Sequence, residues 1–388
     1  MSEIKKNAVR EPLFHLAKRS SIHPAAAWGI RLAAVVIGFI LCGAAAFAMI
    51  EKLQQNPGKI VDFYESFIKG INTSNKTFLE NRKLWAFFKE TAILLCISLA
   101  VTPAFKMRFW NTGAEGQTLM GVLGAIGVAF YLKDSVPGWA LLLLMLVGAL
   151  VCGAVWAVIP ALFKAKWNTN ETLFTLMMNY VATFLVSYFL VIWVPSGSSS
   201  LGKLDIQKLP VIPVSKTSSI NDSFLITLIV LILTVLLFIY LKYSKQGYEI
   251  SVVGESVRTA QYSGINVKKV IIRTMLVSGL LCGVAGYLIG AGLDQSVTTE
   301  SVGGQGFTAI MVSWLAKFNP LVMILTSALI TILGAGAEQI TKTFNVRGAL
   351  PDVFVGIILF CIIGSEFFIN YRIVFRKNAH PAAKEAVK

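Results

Sequence analysis

The sequence contains little charge and little of the chemistry on which most enzymes depend. Only 14% of its residues are charged and 55% are hydrophobic, whereas soluble domains carry roughly 25% charged residues. The three histidines all lie in the terminal tails: His15, His23 and His380. Neither a metal site nor a histidine-based catalytic centre is therefore expected. The five cysteines stand singly in apolar runs, without the paired spacing of metal or redox sites: Cys42, Cys96, Cys152, Cys282 and Cys361.

A phosphate-binding loop is also missing. No G-x-x-x-x-G-K-[ST] motif occurs in the 388 residues, so the chain is expected to bind no ATP of its own. The net charge of +15 could indicate nucleic acid, but Lys and Arg fall in the gaps between apolar runs rather than along one helix face. The sequence therefore predicts neither an ATPase nor a nucleic-acid-binding protein.

Long apolar runs dominate what is present. The mean hydropathy is +0.69, and runs of about 20 apolar residues, enough to cross a bilayer, recur along the chain. Backbone groups in hydrocarbon must be bonded within their own segment, so each run is interpreted as a helix. The sequence thus predicts an all-α polytopic membrane protein of about ten transmembrane helices. The ten candidates cover residues 28–50, 84–105, 113–132, 138–163, 172–194, 223–243, 270–290, 305–317, 321–338 and 351–369.

The eighth run, residues 305–317, is too short to cross a bilayer by itself. As a helix it rises only about 20 Å, less than the hydrocarbon thickness of about 30 Å. We expect it to pair with a non-helical stretch that is buried in protein. The first run follows basic residues but lacks an A-x-A cleavage site, so it is predicted to be a retained helix rather than a signal peptide.

Basic residues between the runs set the expected orientation. With a cytoplasmic N-terminus, 19 Lys and Arg lie on the inner side and 12 on the outer side, which is the bias of membrane proteins. The expected parts are a cytoplasmic N-terminal tail (1–27), a transmembrane domain (28–369) and a cytoplasmic C-terminal tail (370–388). The outer loops 51–83 and 195–222 are either flexible connectors or a docking surface for an external partner.

Two Gly-rich polar interruptions divide the predicted helices into pseudo-repeated halves, the second to fifth and the seventh to tenth. They cover residues 109–117 and 294–308. Polar side chains at membrane depth are costly unless they face protein or water, and paired interruptions indicate a transport path. For Glu115, a position in the inner headgroup region is the alternative. The candidate path residues are Asn111, Glu115, Gln117, Asn179, Gln305, Phe307 and Thr308.

The inner segment 244–269 carries a short predicted helix. Residues 255–262 have helical composition, and Gly264 is placed to end the helix in the left-handed conformation. Eight residues rise only about 12 Å, too little to span a bilayer. The segment suits contact with a cytoplasmic partner, and an amphipathic connector is the alternative. The candidate contact residues are Gly254, Glu255, Arg258, Thr259, Ala260, Gly264 and Ile265.

Four motifs, taken in order, resemble those of the bacterial ABC permeases for nucleosides and simple sugars. They are residues 111–117, 170–180, 254–265 and 304–320, and the similarity covers roughly 84–369. The chain looks most like the longer permease of the nucleoside branch. It departs from the family pattern at Thr259, where an Ala-Ala pair is usual, and at Thr112, where isoleucine is usual.

The resemblance implies a permease subunit of the bacterial inner membrane that moves its substrate without covalent chemistry and is not an enzyme. It implies three partners: an ABC ATPase with two nucleotide-binding halves, a second permease subunit and an extracytoplasmic substrate-binding lipoprotein. ATP and Mg would be held by the ATPase, and this chain would bind no cofactor. Residues 254–265 would be the coupling helix seated on the ATPase.

Rival functions remain open at this point. A permease for ribose-like sugars would share the motifs. An ion-coupled secondary transporter would need carboxylates paired at the middle of helices, and the predicted helix interiors hold few besides Glu115. A non-transporting scaffold would not need polar interruptions in both halves.

Overall fold

The computed structural model of the chain describes residues 14–19, 23–50, 57–69, 82–194, 201–204, 206, 218–345 and 350–375. The strands are β1 (Phe14–Lys18) and β2 (Tyr371–Phe375), which pair antiparallel. The helices are α1 (Pro24–Met49), α2 (Ile60–Lys69), α3 (Arg82–Lys106), α4 (Ala114–Leu132), α5 (Gly138–Trp167), α6 (Glu171–Trp193), α7 (Ser218–Tyr243), α8 (Lys245–Glu255), α9 (Val257–Tyr262), α10 (Val267–Tyr287), α11 (Gln305–Leu315), α12 (Pro320–Phe344) and α13 (Leu350–Asn370).

Nine helices within the described ranges are long and apolar enough to cross a membrane. They are α1, α3, α4, α5, α6, α7, α10, α12 and α13. This confirms the predicted all-α, multi-pass class, and the strand pair is a small addition outside the apolar helices. Several predicted boundaries fell short, because α5 continues to Trp167, α12 continues to Phe344 and α7 already begins at Ser218.

The eighth predicted run is the short helix α11, as expected. It has 11 residues, and it follows turns and bends between Gln295 and Gly304. Left-handed backbone at Lys317 and Phe318, with φ of 50° and 59°, ends the helical stretch before α12 starts at Pro320. The chain therefore reaches α11 through non-helical backbone, and α11 alone is too short to span a bilayer.

The chain forms two compact units, and the larger comprises residues 67–336. Its centre is a close packing of α10 against α4 and α5 through glycines. A side chain at Gly153 would lie 2.6 Å from the carbonyl oxygen of Gly279, and one at Gly283 would lie 2.6 Å from that of Ala149. Small residues of this kind let helix backbones approach in a membrane. This packing holds the helices that carry the polar interruptions.

The α10 helix ends in a π-helical segment, Leu288–Asp294. Beside it lies the described part of the predicted outer loop 195–222, in which Leu201, Leu204 and Ile206 are buried. The backbone N–H of Leu204 donates to the carbonyl of Gln295 at 2.8 Å. This part of the loop is therefore packed against protein, and residues 195–200, 205 and 207–217 lie outside the described residues.

The smaller unit comprises residues 1–66 and 337–388. Here α1 packs on α13, and Arg31 forms an ion pair with Glu366 at 2.6 Å. The helix α2 lies in the predicted outer loop 51–83 and was not predicted. It forms because Phe63 is fully buried, edge-to-face against Phe354 with ring centroids 5.5 Å apart. Residues 51–56 and 70–81 of that loop, and most of both tails, lie outside the described residues.

Candidate functional site

The two polar interruptions meet in the larger unit through one carboxylate. Glu115 stands in the first turn of α4. Its Oε1 accepts a hydrogen bond from the backbone N–H of Gly304 at 2.8 Å, and its Oε2 accepts one from Gly306 at 2.7 Å. The first N–H groups of a helix have no partner within the helix, and a negative charge is favoured there. Glu115 therefore caps α11 from a neighbouring helix.

Glycine is required where these two elements touch. A side chain at Gly306 would collide with the backbone nitrogen of Glu115. Gly304 adopts φ of 77°, a left-handed conformation that costs glycine little. The close approach of α11 to α4 thus explains Gly306, and the left-handed backbone explains Gly304.

Asn111 and Gln117 form a closed pair in the first interruption. Asn111 donates to the Gln117 carbonyl at 3.2 Å, Gln117 donates back at 3.0 Å, and Asn111 also donates to the Ser278 hydroxyl of α10 at 3.3 Å. The Oδ1 of Asn111 accepts from the N–H of Gly113 at 3.1 Å. Both amides are fully buried. Their contacts hold the break between α3 and α4 against α10, and they present no exposed surface to a ligand.

Asn179 braces the same break from α6. Its Oδ1 accepts from the N–H of Gly116 at 2.9 Å, and its Nδ2 donates to the carbonyl of Thr112 at 2.9 Å. The hydroxyl groups of Thr112 and Thr175 lie 3.0 Å apart. Of the predicted path residues, Asn111, Gln117 and Asn179 are thus brought together as internal supports.

Gln305, Phe307 and Thr308 lie together on the first turn of α11 and are accessible in part. The Oε1 of Gln305 has no hydrogen-bond partner among the described residues. The Thr308 hydroxyl donates back to the carbonyl of Gly304 at 3.4 Å. Phe307 is 43% exposed. The amide oxygen of Gln305 is itself buried, so Phe307 and Thr308 are the two of these side chains that are accessible to a substrate.

An aromatic cluster beside α11 was missed by the sequence reasoning. Trp110 and Trp314 lie with ring centroids 5.3 Å apart and are 44% and 50% exposed. Phe105 supports them from α3, edge-on to Trp110 at 5.8 Å and stacked on Phe318 at 6.2 Å. A signal was present in the sequence, because Phe307 and Trp314 are seven residues apart and so lie on one face of a helix. We call Trp110, Phe307 and Trp314 the aromatic face.

The inner segment has the local structure that its sequence predicts, with one addition. Helix α9 occupies residues 257–262 and Gly264 adopts φ of 75°, which confirms the short helix and its left-handed end. The addition is α8, which begins because the Ser244 hydroxyl accepts from the N–H of Gly247 at 2.9 Å. Ser256 then interrupts the helix with φ of −157° and caps α9.

The predicted contact residues of this segment divide into buried and exposed groups. Gly254 and Ala260 are buried, and a side chain at Gly254 would collide with the carbonyl of Lys106 at the end of α3. Glu255, Arg258, Thr259 and Gly264 are exposed, and Ile265 is half-buried. Tyr262, which was not among the predicted residues, is 92% exposed. The segment therefore packs on the end of α3 through Gly254 and presents a surface of polar and aromatic side chains to its surroundings.

Comparison with known proteins finds relatives that are named as ABC transporter permease proteins. The chain is 29% identical over 307 residues to the glucose ABC transporter permease protein TsgB13 of Haloferax volcanii, covering 76% of this chain and 80% of that protein. It is 29% identical over 287 residues to the guanosine ABC transporter permease protein NupP of Bacillus subtilis, covering 70% and 78%. It is 24% identical over 356 residues to the nucleoside ABC transporter permease protein NupB of Lactococcus lactis subsp. cremoris, covering 89% and 91%.

A family match covers the polar interruptions, α11 and the inner segment alike. Residues 85–363 match the family described as branched-chain amino acid transport system / permease component. This range includes every predicted path and contact residue. The chain is therefore a multi-pass membrane protein that belongs to this family of transport-system permease components.

Proposed function

We propose that this chain is the membrane permease subunit of an ATP-driven, binding-protein-dependent importer of nucleosides. The observation that supports a nucleoside as the substrate is the aromatic face, which extends from Phe307 at the polar start of α11 to Trp314 near its end. An aromatic face stacks on a nucleobase, and the partly exposed hydroxyl of Thr308 can accept from a ribose hydroxyl. Two of the three relatives are named for guanosine or nucleoside transport.

The proposed location is the inner membrane of a bacterium with both termini cytoplasmic. The pairing of β1 with β2 supports this, because the segments before the first and after the last spanning helix lie side by side. An even number of crossings is then needed. Nine spanning helices reach ten when residues 295–304 and α11 together make one crossing. The excess of basic residues in the tails and inner loops favours the cytoplasmic side.

The energy would come from a partner, since the chain carries no phosphate-binding loop. We propose an ABC ATPase with two nucleotide-binding halves, which holds ATP and Mg, seated on α9 and its flanks. A second permease subunit and an external lipid-anchored binding protein complete the proposed assembly. The exposed Tyr262 and Arg258 on a short, fixed helix support the docking role of this segment, because aromatic and arginine side chains are enriched at protein interfaces.

A sugar importer is the second candidate, because one relative is named for glucose transport. A free sugar would use the amide and hydroxyl groups at the start of α11 more than the aromatic face. The secondary transporter is less well supported, because both carboxylate oxygens of Glu115 are bonded to backbone N–H groups.

The test compares labelled uridine, guanosine, ribose and glucose in vesicles that contain the complete complex. Trp314→Ala should lower nucleoside uptake about tenfold or more, because base stacking on an aromatic ring is worth roughly 1–3 kcal/mol. Trp314→Phe should retain most uptake, and so should Trp139→Ala, which removes an exposed tryptophan at the opposite end of α5 from Trp167.

Two results would contradict the proposal. Accumulation of ribose or glucose without nucleoside would assign the chain to sugars. Nucleoside uptake that persists without the ATPase and collapses with the proton gradient would assign it to secondary transport.

A further inference from the structure

A cavity of about 450 Å³ lies between the end of α5 and the start of α10, away from the aromatic face. Both helices are spanning segments, so the cavity stands at the membrane boundary. Its walls combine two kinds of chemistry, basic and apolar. The main lining residues are Leu162, Phe163, Lys166, Trp167, Lys268 and Ile272.

The two lysines of the cavity have no carboxylate partner among the residues that the structure describes. Both Lys166 and Lys268 are exposed. The Nζ of Lys166 lies 4.5 Å from the ring centroid of Trp167. By contrast, the neighbouring Lys164 is neutralised by Glu171 at 2.8 Å. The cavity thus keeps two lysine ammonium groups that form no ion pair with any described carboxylate.

The position of Lys268 adds to this charge. It stands in the first turn of α10, which contains no acidic residue. The helix dipole is positive at that end and disfavours a cation there. An anion in the cavity would offset this unfavourable placement.

The lining is layered in the same way on both helices. Lys166 and Trp167 of α5 each have an apolar residue one turn further into the span, namely Leu162 and Phe163. Lys268 of α10 likewise has Ile272 one turn further in. Lysine and tryptophan belong at the headgroup level of a bilayer, and aliphatic and phenyl side chains belong at acyl-chain depth.

We propose that this cavity binds an anionic phospholipid. Its phosphate would lie between Lys166 and Lys268, and the upper part of an acyl chain would lie against Leu162, Phe163 and Ile272. Basic pockets between spanning helices are suited to such headgroups. A free phosphate ion shares the headgroup chemistry but would leave the apolar wall without a partner. The apolar layer is therefore the reason to choose the lipid.

The experiment titrates the purified full-length chain with phosphatidylglycerol, phosphatidylcholine and inorganic phosphate, and counts bound molecules by native mass spectrometry. Wild type should bind phosphatidylglycerol at least tenfold more tightly than phosphatidylcholine. In the double variant Lys166→Gln/Lys268→Gln, the affinity for phosphatidylglycerol should fall about 30-fold. Each basic residue near the headgroups contributes roughly one kilocalorie per mole of binding free energy. The variant Lys166→Arg/Lys268→Arg should restore binding, which separates charge from misfolding.

A matched control is available where α7 ends and α8 begins. Lys242 lies near the rings of Phe238 and Tyr243 at the end of a spanning helix, and Lys245 follows it, but neither lines this cavity. Lys242→Gln/Lys245→Gln should bind phosphatidylglycerol as wild type does. If both glutamine double variants lose phosphatidylglycerol affinity equally, the cavity is not the binding site. Equal binding of the two lipids, or competition by phosphate with no dependence on acyl chains, would overturn the assignment to an anionic lipid.

Discussion

Glu115 illustrates how a single residue at membrane depth acquires its role from its partners. A carboxylate inside a spanning helix is a common sign of ion or proton coupling. Here both of its oxygens accept backbone N–H groups at the start of α11. These two hydrogen bonds hold the start of α11, a helix of only 11 residues, against α4. Glu115 is best described as a residue that positions the start of α11, where Phe307 lies.

The close approach of Gly306 to Glu115 yields a prediction at this scale. Gly306→Ala should push α11 away from α4 and lengthen both hydrogen bonds, since the added methyl group meets backbone. We expect a loss of roughly 1–3 kcal/mol in the free energy of unfolding, as for other overpacked sites. Uptake should fall severalfold or more. Thermal unfolding in detergent and vesicle uptake measure the two effects.

Gly334→Ala supplies the control, because a methyl group at Gly334 of α12 has open space around it. Replacing a helical glycine with alanine there should be neutral or stabilising by roughly 0.5–1 kcal/mol. If the two alanine variants unfold and transport alike, the contact between α4 and α11 does not constrain the site.

At the scale of elements, the inner segment combines a fixed seat with an exposed tip. Gly254 brings α8 against the end of α3, and Ser256 separates α8 from α9 with a single extended residue. The fully exposed ring of Tyr262 and the left-handed Gly264 then complete the tip. At the contact with α3, Gly254 leaves no space for a side chain, so α8 and the end of α3 are in direct backbone contact.

Gly264 tests whether the shape of the tip matters for coupling. Gly264→Val should cost roughly 1–2 kcal/mol in the left-handed conformation and displace the end of α9. Substrate-stimulated ATPase activity of the complete complex should fall, while membrane insertion persists. Gly264→Asn should retain coupling, because asparagine adopts this conformation more readily. If substrate still stimulates ATPase activity to the same extent in the valine variant, the segment is only a connector and has no role in coupling.

At the scale of the whole molecule, the number of crossings depends on the short helix. The described residues include nine apolar helices that are long enough to span, yet the pairing of β1 with β2 requires an even number of crossings. Residues 295–304 with α11 supply the tenth crossing in the proposed topology. Non-helical backbone is tolerated at such depth where it is buried in protein.

Labelling of single cysteines tests this topology. In a background without the five native cysteines, Asp134→Cys between α4 and α5 should react with an impermeant thiol reagent added outside intact cells. Arg258→Cys on α9 should react only after lysis. Both positions are exposed, so accessibility is set by the side of the membrane. The reverse pattern would invert the orientation, and reaction of both from outside would rule out the proposed crossings.

Apolar runs and the positions of glycine and proline in the sequence determined the helical class, the approximate spans, the short α11 and the left-handed Gly264. These features depend on neighbours within a few residues, and a sequence displays such neighbours directly. The roles of the polar residues were decided by tertiary structure, because their partners are distant. Asn111 meets Ser278 across 167 positions, and Glu115 meets Gly304 across 189. The free-energy cost of a polar side chain at membrane depth marks that residue as important. Only the contacts in the folded protein show that Gln117 is buried and supports the helix packing, whereas Trp314 is accessible.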